Sequence, residues 1–185
     1  MLEILFKTTK IPLLLHIALC VLSLALALFC LEQYNALYEL SNHPTTVINE
    51  QLCFNAELIK SYYAKMTELG TIDFYFKAQL VDYGYMLSMF AFAFFAPALI
   101  LRFRPESQLS NRLYLITTYF LLLGVVFDVL ENLTSFLMLA FAVDFPAWLA
   151  LFYSTLAALK FLFIGLGLIV LLLIVCLRAI AFCFR

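Results

Sequence analysis

Long apolar runs separated by short polar breaks dominate the chain, and the runs carry little of the apolar/polar alternation of a half-buried strand. A hydrocarbon core of about 30 Å needs roughly 20 apolar residues per helical crossing. Four stretches meet that length, at about 11–31, 80–101, 113–142 and 148–177. The pattern predicts an all-α integral membrane protein, a four-helix bundle of four transmembrane helices forming a single membrane domain over 1–185. Lys10 and Glu32 bound the first run, Arg102 stops the second, and Val143-Asp144-Phe145-Pro146 divides the third from the fourth.

Residues 32–79 break the pattern. Asn42-His43-Pro44 signals a turn. Beyond it, Ile48, Leu52, Ile59, Tyr62, Met66 and Leu69 recur at helical spacing, while Glu50, Glu57, Lys60, Lys65 and Glu68 fall mostly elsewhere. This predicts an amphipathic helix lying as a lid over one end of the bundle. Gly70 reads as its stop and Thr71-Ile72-Asp73 as the cap of the next helix. His43 reads as a turn residue, since a lone histidine carries no metal signature.

Composition agrees about the solvent. With 66% hydrophobic and 12% charged residues, 20 Phe, 10 Tyr and a mean hydropathy of +1.04, the chain has too little polar surface for a water-soluble fold. A net charge of -1 gives no basic field, so nucleic acid is not an expected partner and the lipid bilayer is. Lys7, Lys10, Arg102, Arg104, Arg112, Arg178 and Arg185 all lie near the termini or between the second and third runs. The positive-inside rule therefore places both termini in the cytoplasm of a plasma or bacterial inner membrane and makes 32–79 extracytoplasmic. Ala25-Leu26-Ala27 resembles a signal-cleavage site, but the apolar run is longer than a usual signal core, so 11–31 reads as a retained helix. The five cysteines include no Cys-x-x-Cys and read as free thiols.

The informative exceptions are polar residues inside the apolar runs. At about 100° per residue, Thr117, Gly124, Asp128, Glu131, Asn132 and Ser135 share one stripe of the third helix, and a stripe holding two acids cannot face lipid. The turn near Asp144 folds the fourth helix back so that Lys160 meets Asp128 and Glu131 in depth. Asp82, on a face with Tyr85 and Met86, reaches a similar level in the second helix, and Tyr153 lies two turns from Lys160. His16, Cys20, Ser23, Ala27 and Cys30 give the first helix a small, weakly polar face, as Ala150, Ser154, Ala157, Ala158 and Gly165 do the fourth. His16 reads as a hydrogen-bonded structural histidine.

Asp82, Asp128 and Glu131 set three acids against one Lys160, so at least one proton, cation or cationic ligand is needed to avoid a buried net negative charge. The leading expectation is a non-enzymatic membrane protein binding a small or lipidic ligand, or a cation, at Asp82, Tyr85, Asp128, Glu131, Asn132, Tyr153 and Lys160, in the outer half of the membrane. A second class is a structural or interaction subunit, in a homo-oligomer or a membrane complex, whose charges only fix helix packing; toxin-immunity proteins are an analogy of architecture here. A third is an intramembrane enzyme using the carboxylates as acid and base, although no His-Glu-x-x-His, no Gly-x-Ser-x-Gly and no cofactor motif is found.

Overall fold

The computed structural model describes residues 2–102, 108–141 and 143–183; Arg104, Ala142 and Arg185, used above as anchors or boundaries, lie outside them. The described residues form seven α-helices and no strand. These are α1 (Leu2–Thr8), α2 (Leu13–Leu40), α3 (Val47–Gln51), α4 (Ala56–Glu68), α5 (Ile72–Arg102), α6 (Gln108–Phe141) and α7 (Ala147–Cys183). Helices α2, α5, α6 and α7 are long and apolar enough to cross a membrane. The shortest, α2, has 28 residues and so spans about 42 Å, more than the hydrocarbon core requires. Leu14, Leu87, Trp148, Ile169 and Leu172 are each more than three-fifths exposed, an apolar surface that calls for lipid.

The close pairings of the long helices run in chain order: α2 on α5, α5 on α6, α6 on α7. Small residues set the approach. Gly124 of α6 and Gly167 of α7 leave room where an added Cβ would meet Ile164 Cγ1 at 2.5 Å and Leu121 Cδ2 at 2.7 Å. The expected face of α2 is buried through His16, Cys20, Ser23 and Ala27, and Tyr34 extends it. On the fourth helix Ala150, Ser154 and Ala157 are buried as expected, but space is open at Gly165 and it is Gly167 that permits contact. His16 Nε2 lies 3.0 Å from the Phe95 carbonyl, close to Pro97 within α5; the carbonyl only accepts, so Nε2 carries the proton. This supports the structural reading of that histidine.

The connector differs from its expected form. α2 continues to Leu40 and α5 begins at Ile72, so both helices extend well into the 32–79 segment. The single amphipathic helix expected from Ile48 to Leu69 is two helices, divided at Leu52–Asn55, where Phe54 has a φ of +51°. Asn55 is the cause: its side chain accepts from the Leu58 N–H at 3.1 Å and starts α4 in a new phase. Ile59, Tyr63 and Met66 are consequently buried, whereas Ile48, Leu52 and Leu69 are exposed. Gly70, at a φ of +68°, ends this region in the left-handed conformation that glycine adopts at no steric cost. The Thr71 hydroxyl ties the end back to α2 by donating to the Ser41 carbonyl at 2.6 Å.

Helices α3 and α4 both pack against α7, and α4 also touches α5. Ile59, Tyr63 and Met66 form a core with Tyr75, Met138, Phe145, Leu149 and Tyr153. This end of the molecule is the capped end. At the other end Leu101, Tyr114 and Ile174 pack together, and Arg102 donates to the Ile11 carbonyl, joining α5 to the start of α2.

Candidate functional site

The polar stripe of α6 faces inward as its spacing requires. Thr117, Glu131 and Ser135 are fully buried, Asn132 is 1% exposed, and Asp128 is 7% exposed. From α7, Lys160 reaches between the acids. Its Nζ donates to Asp128 Oδ1 at 3.0 Å and also approaches Glu131 Oε2. The two contacts are unequal. The Asp128 contact is an aligned hydrogen bond, whereas Glu131 Oε2 meets Nζ more closely but off the hydrogen-bond axis, and Glu131 Oε1 has no hydrogen-bond partner.

Asp82 enters from α5. Asn132 Nδ2 donates to Asp82 Oδ2 at 2.8 Å, which links α5 to α6 one helical step from the ion pairs that link α6 to α7. Tyr85 is half-buried within electrostatic reach of Asp128 and Asp82. The structure therefore brings Asp82, Asp128, Glu131, Asn132 and Lys160 together, with Tyr85 beside them. Tyr153 stands apart from the ion pairs: it is buried in the core under α4, within electrostatic reach of both Glu50 and Glu131. Asn132 belongs to a formal Asn-Leu-Thr glycosylation sequon, and its burial makes that sequon unusable. Among the described residues, no three His, Cys, Asp or Glu side chains are placed to share a metal ion.

A buried acid outside this cluster escapes the sequence reading. Glu50, assigned to the polar face of an amphipathic helix, is 1% exposed. The Tyr75 hydroxyl donates to its Oε1 at 2.6 Å, and His43 Nε2 faces its Oε2 at 3.3 Å. Tyr38 adds its hydroxyl at 2.8 Å from His43 Nδ1 and 3.5 Å from Glu50 Oε2. The His43 ring is sandwiched among Tyr38, Tyr62 and Tyr75, at centroid distances of 4.9, 5.1 and 5.4 Å. His43 is thus a turn residue in its backbone and the centre of a buried network in its side chain. The helix break at Leu52–Asn55 turns Glu50 inward; the tyrosines at 34, 38, 62, 63 and 75 were the available hint of an aromatic site to receive it.

Tyr63 lies between the two groups. It is fully buried, packed on Tyr75 at 5.7 Å, and its hydroxyl lies beside those of Tyr75 and Ser135 without an aligned hydrogen bond to either. Burial first, and the Glu50 carboxylate second, push the Tyr63 phenol well above its ordinary value, so it keeps its proton. An open cleft of about 740 Å³ indents the capped end, reaching Tyr38 and His43 past Asn35, Glu39 and Lys65. No protein-family model, no curated protein and no solved structure matches this chain.

Proposed function

We propose that this multi-pass membrane protein binds a small cation at the Asp82, Asp128, Glu131 and Lys160 cluster without catalysing a reaction, the proton being the minimal occupant. The observation that carries the reading is the charge imbalance: three buried or half-buried carboxyls share one ammonium, and Glu131 has an oxygen without a partner. An uncompensated charge in a hydrocarbon surrounding costs several kcal/mol, so the cluster holds added positive charge whenever it is intact. Three carboxylates and one ammonium leave two negative charges: Lys160, aligned on Asp128, compensates that acid, Glu131 takes the proton, and Asp82, only half-buried and hydrogen-bonded by Asn132, carries the charge that remains. In this reading the four long helices are a transmembrane bundle in a plasma or bacterial inner membrane. Its termini are cytoplasmic and the α3–α4 cap extracytoplasmic, as the basic residues Lys7, Lys10, Arg102 and Arg112 support.

A second reading, a subunit whose charges only lock helix register, is favoured by one observation: Lys160 bridges α7 to two positions of α6. Replacing Glu131 by glutamine separates the two. An amide mimics a protonated carboxyl, so the cation reading predicts a folded Glu131→Gln protein melting within about 4 °C of the parent. If Glu131 is instead the ionised partner of Lys160, its loss costs about 3–5 kcal/mol and the melting temperature collapses, which contradicts the proposal.

A further inference from the structure

Among the described residues, Glu50 under the cap and Glu131 in the bundle of long helices are the two acids with 1% exposure or less, and one set of hydroxyls lies between them. Glu50 accepts from Tyr75, Tyr75 packs on Tyr63, and the Tyr63 hydroxyl lies beside Ser135. Ser135 is one turn from Glu131 on α6, a spacing that puts both side chains on one face. Tyr63 Oη, Ser135 Oγ and Glu131 Oε1 are all fully buried without an aligned partner. Buried polar atoms without an aligned partner are uncommon in a folded chain, and a shared role in passing hydrogen bonds accounts for three along one line. Glu50 connects outward through His43 and Tyr38, and both residues line the open cleft.

We infer that Tyr75, Tyr63 and Ser135 form a proton route that links the cleft at the capped end, through His43 and Glu50, to the Glu131 carboxylate. The inference rests on the proton-binding reading of the cluster above. Each hydroxyl along the route accepts one proton and passes on one, so Tyr75, Tyr63 and Ser135 end unchanged. The net conversion is Glu131 carboxylate plus one hydronium ion of the cleft solvent to carboxylic acid plus water. The charged or titratable groups facing Glu131 are Lys160 of α7, Asp128 of its own helix, Asp82 of α5, and the phenols of Tyr34, Tyr63 and Tyr153. Those facing Glu50 are His43, the phenols of Tyr38 and Tyr75, and more distantly Tyr34, Tyr62, Tyr63 and Tyr153. On the cluster's other side, toward the uncapped end, His16 Nε2 is committed to the Phe95 carbonyl and Thr118 to the Tyr114 carbonyl, while the unpartnered Thr117 hydroxyl lies eleven residues, about three turns, from Asp128. The hydroxyls that come near Glu131 are those on the side of the capped end.

The test is the rate at which the Glu131 carboxyl exchanges hydrogen for deuterium, followed by infrared spectroscopy on the full-length protein in nanodiscs after transfer to heavy water. Glu131→Gln identifies the band. Tyr63→Phe and Ser135→Ala each remove one hydroxyl of the route, and both slow the exchange by roughly tenfold or more. Tyr83→Phe removes a buried hydroxyl off the route, stacked on Phe136, and leaves the rate at the parent value. If Tyr63→Phe fails to fold, Ser135→Ala carries the comparison alone. A Glu131 band that exchanges at the parent rate in both variants overturns the route while leaving the proton-binding reading standing. A parent spectrum without any Glu131 carboxylic band overturns both.

Discussion

Lys160 faces two carboxyls and can neutralise one, so the consequences of its removal depend on which it serves. Lys160→Met strands Asp128 in apolar surroundings and lowers stability by about 3–5 kcal/mol, read as a fall in melting temperature of roughly 10 °C or more. Adding Asp128→Asn restores most of that loss, whereas adding Glu131→Gln does not, because Asp128 is the residue in an aligned hydrogen bond with Lys160. Equal rescue by the two partners contradicts the division of roles. Asn132→Leu leaves Asp82 without its donor and costs about 1–3 kcal/mol in the same assay. The meeting of Lys160 with Asp128 and Glu131 was legible in the sequence, because helical periodicity fixes the face and a short hairpin turn fixes the depth. The Asn132 bond to Asp82 was not, since nothing in the spacing sets the rotation of α5 against α6.

At the scale of helices, close approach is decided by single atoms. Gly124→Ala places a methyl group 2.5 Å from Ile164 Cγ1 and 3.3 Å from the Ile164 backbone nitrogen, so α6 and α7 must separate, at about 1–3 kcal/mol. Gly165→Ala, with open space around it in the same helix pair, raises stability by about 0.5–1 kcal/mol through backbone entropy. Thermal melts of the two variants check both, and loss of stability in both contradicts the assignment of Gly124 as the contact point. The apolar lengths of α2, α5, α6 and α7 were readable because lipid demands them. The division of α3 from α4 was not, because Asn55 capping competes with an apolar stripe whose 3.6-residue spacing continues across the break. Local hydrogen bonding won, and the burial of Glu50 followed.

For the whole molecule, 12% charged residues point to lipid as the solvent, and the placement of the basic ones is what the proposed orientation rests on. A membrane-impermeant maleimide added to intact cells labels Ser61→Cys in a Cys53→Ser background, since Ser61 is exposed on α4 and the cap is proposed to lie outside. Labelling only after the cells are opened contradicts that topology. The Glu50 group draws on three separate segments: Tyr38 from α2, His43 from the turn, and Tyr75 from α5. Only the folded connector assembles them, which is why one charge-bearing cluster was visible in the sequence and the other was not. The central claim is that Glu131 holds a proton inside the membrane, and infrared spectra of the parent and Glu131→Gln proteins at neutral pH test it most directly. The account predicts a carboxylic C=O band in the parent that is absent from the variant; identical spectra in that region contradict it.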